Sequence, residues 1–422
     1  LLLLLSAAAA ACGVLALNVP AAAAVDRGER GRAAKLVRAI ASLEGEARAL
    51  SAPSFGGVWV NRGRRYLDVN IAFTRRPGRK VKKLAKDFPR PKLLDPIEVD
   101  YSLKVLEDSQ AELIADRESF RGGPSPFRGV PGGAWDLDID LRSNTLVVVV
   151  EDPSPDAVAA IKTRYGYDVI VRDEGILVPD VLYPCASRFL CYDLRSGLET
   201  AGAASSVGPG GGGCSTAFSS HIGRTTKGTM GILSAAHCGK ADVGAPRFHA
   251  AGHAAQYGYV NRETQYGAVD AEWHFVSRDP FRALVPDPRI FVDDSQPAGK
   301  VDDVGKYDEL VVGYTKVCKS GITTGRTCGT VTSKYASPNY IPSSSNFVRA
   351  SLCSEGGDSG AGVYLKIPGL IPRPGEADNY EAVGILSGSK EVGCPDPADS
   401  AVFGHIRFAE KELGVKVVRA AE

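Results

Sequence analysis

Apolar and polar residues alternate with different periods in the two halves of the chain. Between Ala33 and Leu50, the residues Leu36, Ile40, Leu43, Ala47 and Leu50 recur at helical spacing, which predicts a helix with one buried stripe. Phe55–Val60 leads through polar Asn61–Arg65 into Tyr66-Leu67-Asp68-Val69-Asn70-Ile71, whose period of two predicts a half-buried strand. Trp135, Leu137, Ile139 and Leu141 repeat that alternation. Arg142-Ser143-Asn144-Thr145 then predicts a turn, and the unbroken run Leu146–Val150 a buried strand. Each hairpin opens on a Gly-Gly-x-Trp segment (Gly56–Trp59 and Gly132–Trp135), a weak internal repeat. Ser154-Pro155 is a start signal for a helix over Asp156–Tyr165, and Val169–Val171 reads as a strand. Beyond residue 180 the runs shorten and glycines separate them. Ile367–Ala377 reads as a loop, and only Phe408–Leu413 returns to an amphipathic helical pattern.

Composition sharpens this division. A chain of 422 residues accommodates two or three domains, and most of its 47 glycines lie past residue 200, where they predict short strands and many turns. The balance of 50 Lys+Arg against 49 Asp+Glu argues against a dedicated nucleic-acid binder. The basic run Arg75, Arg76, Arg79, Lys80, Lys82, Lys83, Lys86, Arg90 and Lys92 reads as a solvated linker or helix face rather than a polyanion site. Residues 1–25 are apolar and end in Pro20–Ala24, small residues that suit a signal-peptidase site. They are read as a secretory leader, with the opening at Leu1 taken as an N-terminal truncation; a retained anchor and a lipid on Cys12 are the other readings. Secretion to the extracellular space, with no membrane contact after leader removal, is the expectation. Of the nine cysteines, Cys12 falls in the leader and the other eight all follow residue 180, an even number that implies disulfides in an exported chain. That contrast puts a domain boundary near 180.

All six histidines follow residue 220, so a histidine-dependent site belongs to the C-terminal part. No HExxH, P-loop or CxxC pairing appears, so neither a metal nor another cofactor is expected. Gly231–Cys238 places His237 at the end of an apolar strand. Gly356-Gly357-Asp358-Ser359-Gly360-Ala361-Gly362 surrounds Ser359 with residues that permit a sharp turn and convergent N–H groups. A serine hydroxyl is a poor nucleophile alone; it needs a base such as imidazole, and the imidazole needs an acceptor.

These segments resemble the chymotrypsin-like serine proteases, in their secreted bacterial branch of streptogrisins and alpha-lytic protease. Ser234–Cys238 matches the histidine motif and Cys353–Gly360 the nucleophile motif. Val317–Gly329 matches a signature of the branch, and Leu386–Ser389 the substrate-binding strand. The resemblance covers roughly 185–422. It implies an all-β protease domain over 181–422, with two six-stranded antiparallel β-barrels and a short C-terminal helix, preceded by a smaller α+β pro-region over 26–180. His237 is then the base, Ser359 the nucleophile, and the N–H groups of Gly357 and Ser359 the oxyanion hole. Gly267–Trp273 resembles the branch's Asp-x-Ala-Trp segment and selects Asp270 over Asp242, Asp279 and Asp287. Asp358 is expected to pair with Lys319, where the branch usually has Arg. Ser387, Gly388 and Ser389 are expected to border the substrate; Glu355, Lys390 and Glu391 are close by and read as solvent-exposed. The resemblance also selects disulfides Cys214–Cys238, Cys318–Cys328 and Cys353–Cys394, leaving Cys185 with Cys191.

The implied protein is a secreted, monomeric serine endopeptidase acting on proteins or peptides through an acyl-enzyme, folded and inhibited by its own pro-region. Cleavage of that region is expected near 180, near 200, or not at all. Two alternatives stand beside this. One is an α/β-hydrolase esterase using Gly357-x-Ser359-x-Ala361, with Asp396 or Asp399 and His405. The other is a non-catalytic secreted binding protein on the same fold.

Overall fold

The computed structural model describes residues 27–62, 67–75, 78–166, 168–179, 206–207, 213–223, 229–238, 243–244, 246–249, 256–265, 267–276, 288–290, 292, 299–367, 378–390, 394 and 400–420. The leader, Cys185, Cys191, Glu391, Asp396, Asp399 and the 180–205 junction lie outside the described residues.

The N-terminal part is built twice from one plan. Phe55–Arg62 pairs antiparallel with Leu67–Phe73, helix Arg79–Asp87 follows, and Leu94–Glu98 returns parallel to Leu67–Phe73. Asp136–Asp140 pairs antiparallel with Thr145–Val150, helix Pro155–Tyr165 follows, and Ile170–Asp173 returns parallel. The Gly-Gly-x-Trp repeat therefore marks a structural repeat. Its glycines are required: Gly57 has φ +129°, and a Cβ there would lie 2.9 Å from Leu141 Cδ2. Two longer helices, Arg27–Ser51 and Leu103–Ser119, complete this region. Ser102 and Ser154 cap their helices by accepting from the N–H groups of Val105 and Ala157. In Arg79–Asp87 the basic run forms a solvated helix face, with Val81 turned inward and Lys82, Lys83 and Lys86 exposed.

The alternation in the second hairpin does not separate a dry face from a wet one: Asp136 and Asp138 are buried, as are Trp135 and Leu137. Their side of the strand lies against the C-terminal part, where Leu137 and Ser337 exchange backbone hydrogen bonds of 3.2 and 2.8 Å. Period two separates two faces; it does not say that the polar face meets water.

The C-terminal part is almost entirely strand. Asn379–Ser389, Gly362–Lys366, Lys316–Gly321, Gly325–Ala336, Phe347–Ala350 and Ala401–His405 pair antiparallel in that order. Ala401–His405 pairs back onto Asn379–Ser389 and closes a six-stranded barrel. The other half is an eight-stranded antiparallel sheet centred on Ser219–Ile222, Thr229–Ser234, Ala271–Val276 and Gln256–Thr264, with no ring closure among the described residues. Of the two expected barrels, one is thus a closed ring. The C-terminal helix runs Ile406–Leu413 and stops at Gly414 in the left-handed region (φ 61°). After it, Lys416–Val417 pairs with Ser220 and His221 and ties the chain end to the eight-stranded sheet.

Candidate active site

Thr229–Ser234 delivers the chain into a single turn, Ala236–Cys238, that carries His237, and the Cys214–Cys238 disulfide pins this turn. The neighbouring strand Ala271–Val276 sets Glu272 opposite Ser234, so Asp270, immediately before that strand, arrives beside the turn. His237 Nδ1 lies 2.5 Å from Asp270 Oδ2, and the His237 backbone N–H donates to Asp270 Oδ1 at 3.1 Å. On the other side of the ring, Nε2 is 2.9 Å from Ser359 Oγ. Asp270 is fully buried. Burial pushes its carboxyl up, but the nearby His237 ring and the hydrogen bonds from His237 and Ser387 outweigh this and hold it below its ordinary value.

Ser359 sits on a loop held in a conformation that only its glycines allow. Gly357 has φ +100° and Gly360 φ +85°; a Cβ on Gly360 would lie 2.2 Å from the carbonyl oxygen of Ser215. Asp358 anchors the loop from beneath. Its carboxylate takes the Lys319 ammonium at 2.8 Å, the N–H groups of Thr323, Thr324 and Glu355 at 2.9, 3.2 and 3.2 Å, and the Thr324 hydroxyl. Both members of the Lys319–Asp358 pair are fully buried. Lys319 uses its remaining donors on the carbonyl of Gly325 at 3.0 Å and on the Thr324 hydroxyl. A point charge with three donors thus does here what a guanidinium fork does with two. Among the described residues no acceptor takes the N–H groups of Gly357 or Ser359.

The structure therefore brings His237, Asp270, Ser359, Gly357, Lys319 and Asp358 together. It also contains the disulfides Cys214–Cys238, Cys318–Cys328 and Cys353–Cys394. Ser387 is fully buried: its carbonyl oxygen lies 3.1 Å from Ser359 Oγ and its hydroxyl turns to Asp270 Oδ2 at 2.7 Å, so its side chain belongs to the carboxylate's hydrogen-bond set. Two residues read as solvent-exposed, Lys390 and Glu355, are not. Lys390 is buried rather than exposed, paired with Glu174 at 2.5 Å, because the N-terminal part covers it. Glu355 is half-buried and accepts from the Cys394 N–H at 2.9 Å. His405 is buried between Tyr307 and Phe408, at the head of the last helix, and burial drives its pKa down to about 3. The histidine that meets Ser359 Oγ is His237, whereas the esterase reading needs His405 there. Cys214, His237 and Cys238 cluster, but their two sulfurs are bonded to one another and offer no thiolate.

Sequence reasoning missed three participants. Ser215 accepts from the Ile322 N–H and donates to the Gly357 carbonyl at 3.0 Å, bracing the serine loop. Tyr340 sets its hydroxyl 2.9 Å from Ser387 Oγ and its ring edge-on to His237. The third is a short strand, Val178–Pro179, that pairs antiparallel with Ser389 and Gly388. None stands in a motif; only the Leu386–Ser389 strand hinted that something extended should lie beside it.

The chain is 36% identical over 135 residues to glutamyl endopeptidase 2 of Streptomyces griseus, which covers 30% of this chain and 63% of that protein. It is 30% identical over 166 residues to streptogrisin-C of the same organism, covering 37% of this chain and 30% of that one. It thus spans less than two thirds of either curated relative. No protein-family model matches. Similar solved structures include a glutamic acid-specific serine protease that uses a histidine triad in substrate binding (27% identity, TM-score 0.41, 51% of this chain and 99% of that one). Thermobifida fusca protease A (21%, 0.38, 52% and 98%) and alpha-lytic protease homolog N4 (22%, 0.39, 51% and 98%) are further examples. The resemblance to bacterial serine proteases read from four motifs is accordingly found again in sequence relatives that match 30% and 37% of the chain.

Proposed function

We propose that the protein is a secreted serine endopeptidase made with an inhibitory pro-region, in which 181–422 form the protease domain, 26–180 the pro-region and 1–25 a leader. The observation that carries this is the hydrogen-bonded line Asp270–His237–Ser359, with the N–H groups of Gly357 and Ser359 on the same loop. Asp270 fixes the imidazole with its proton on Nδ1, which leaves Nε2 free to accept the serine proton. Ser359 Oγ attacks the scissile carbonyl. The oxyanion that forms meets the two N–H groups, each worth roughly 3–4 kcal/mol in such a site. His237 passes its proton to the leaving amine, and water then hydrolyses the acyl-enzyme by the same route. Nothing in this cycle calls for a metal or a cofactor. Disulfides support export, and among the described residues no helix is long and apolar enough to cross a membrane.

The pro-region reading is supported by what the N-terminal part covers. One apolar core runs from it into the six-stranded barrel. Buried Arg117 donates to the Ser337 carbonyl at 2.8 Å, and Lys334 pairs with Glu44 at 2.8 Å. Val178–Pro179 lies on the strand where an extended peptide would bind. A barrel rich in long-range pairings folds slowly, and a docked partner gives it a template.

The test is labelling of the purified protein by a fluorophosphonate, together with peptide hydrolysis. Wild type is expected to label on Ser359. Ser359→Ala should neither label nor turn over, and Asp270→Asn should fold normally but lose roughly 10³–10⁴-fold in kcat. Full activity in Asp270→Asn would remove the triad assignment.

A further inference from the structure

We propose that the hydroxyl of Thr323 holds the Gly356–Gly357 peptide in the orientation that aims the Gly357 N–H at the developing oxyanion, which makes Thr323 a positioning residue for acyl transfer. This deepens the endopeptidase reading above and rests on it.

In a trans peptide the N–H and the C=O point to opposite sides. An oxyanion donor is therefore fixed by whatever grips the carbonyl behind it. Two peptides supply donors here, and their carbonyls are gripped differently. The Asp358 carbonyl, behind the Ser359 N–H, accepts from the Ala361 N–H at 2.9 Å, a backbone bond. The Gly356 carbonyl, behind the Gly357 N–H, accepts from Thr323 Oγ1 at 2.6 Å, and among the described residues no other donor reaches it. The peptide between them, Gly357–Asp358, is held at both ends: Ser215 Oγ donates to its carbonyl at 3.0 Å, and its N–H donates to the Glu355 carbonyl at 3.0 Å. One oxyanion peptide thus depends on a single side chain.

The same peptide is the freest to turn. A glycine stands on each side of it, so no Cβ opposes its rotation. Gly357 has φ +100°, and a Cβ there would lie 2.5 Å from Thr323 Oγ1, so the threonine packs directly on this turn. Rotated by half a turn, the peptide would put a carbonyl oxygen where the transition state needs a donor, exchanging attraction for repulsion.

Thr323 is anchored so that its hydroxyl can act as the stop. It lies in the turn between strands Lys316–Gly321 and Gly325–Ala336. Its own N–H donates to Asp358 Oδ1 at 2.9 Å, which ties its backbone to the buried carboxylate under the serine loop. The residue is exposed, so water can satisfy the Gly356 carbonyl when the hydroxyl is removed. Its loss should therefore disturb orientation and leave stability nearly untouched. A second threonine provides the comparison. Thr327 Oγ1 donates to the Cys353 carbonyl at 2.6 Å, but the peptide that it grips, Cys353–Ser354, carries no oxyanion donor.

The experiment measures fluorophosphonate labelling of the purified protein over a range of probe concentrations, which separates the saturation constant KI from the limiting rate kinact, with denaturant melts alongside. The variants are Thr323→Val, Thr323→Ala, Thr323→Ser and Thr327→Val. Thr323→Val and Thr323→Ala should each lower kinact roughly three- to tenfold, with KI and the denaturant midpoint little changed. That is less than the ~10²–10³ lost when an oxyanion donor is removed outright, because the peptide is freed and not deleted. Thr323→Ser and Thr327→Val should label at the wild-type rate. An undiminished kinact in Thr323→Val and Thr323→Ala, a Thr323→Ser as slow as they are, an equally slow Thr327→Val, or a loss confined to KI overturns this inference and leaves the endopeptidase reading standing. A wild type that does not label overturns both.

Discussion

At the scale of single residues the site depends on a buried charge that does no chemistry. Lys319 and Asp358 are both fully buried, and the pair survives because their remaining donors and lone pairs are used by Thr323, Thr324, Gly325 or Glu355. Removing one partner strands the other. Lys319→Met is expected to cost about 3–5 kcal/mol, read as a fall in the denaturant midpoint, and to lower phosphonate labelling because the Gly357–Ser359 turn loses its anchor. Lys319→Arg should recover most of both; a Met variant as stable as wild type would show that the Thr and backbone donors suffice. His237, Ser359, Asp270 and the Lys319–Asp358 pair were singled out in the sequence because each stands in a short segment that resembles a motif of the bacterial serine proteases, and the structure brings them together. For Ser387 the sequence did not reveal that its hydroxyl turns to Asp270, because a strand motif fixes position but not which partner a hydroxyl chooses.

At the scale of elements, the segment after strand Gly325–Ala336 links the two parts of the molecule to the triad. Its residue Tyr340 touches Ser387, which touches Asp270. The same segment is gripped from the N-terminal part: Asp136 accepts the Asn339 N–H at 2.7 Å, Arg121 donates to the Asn339 carbonyl at 2.5 Å, and Arg117 reaches Ser337 and Ser344. Tyr340→Phe keeps the ring against His237 and removes only the hydroxyl. A hydrogen bond of this kind is worth about 0.5–1.5 kcal/mol, so kcat should fall roughly two- to tenfold with KM little changed. A drop confined to KM would make Tyr340 a substrate contact and not a positioning residue. No pattern could have revealed this from the chain alone: Tyr340 lies in an irregular loop, and its partner is 47 residues away. The repeated hairpin, by contrast, was legible because Gly-Gly-x-Trp recurs before alternating residues; the helix Arg79–Asp87 and returning strand Leu94–Glu98 that complete the first copy were not, because the basic run reads equally as linker or helix face. The two-residue strand Val178–Pro179 is too short to have any period.

At the scale of the whole molecule, the contact between the N-terminal part and the barrel is electrostatically mixed, and pH should act on it in a definite direction. Burial drives the Asp136 and Asp138 carboxyls above their ordinary value, against the opposing pull of Arg349 on both, of the Leu177 and Asn339 N–H groups and Arg117 on Asp136, and of Ser333, Ile139 and Arg172 on Asp138. Both carboxyls hold a proton more tightly in the assembled chain than in the unfolded one. Their contribution is therefore complete below the ordinary carboxylate value of about 4 and is lost as pH rises through the raised values. Glu174 works the other way: burial raises it, but the Lys390 hydrogen bond and charge outweigh this and hold it low, so its contribution is present above the ordinary range and lost in acid. The assembled form should accordingly be firmest in mild acid and loosen toward neutrality. In the uncut Ser359→Ala chain, denaturant melts from about pH 4 to 8 are expected to show stability declining on the neutral side. Asp138→Asn in that background should flatten the decline, because an amide fills the same site without a charge to bury. An unchanged slope would move the effect to Asp136 or to the barrel itself.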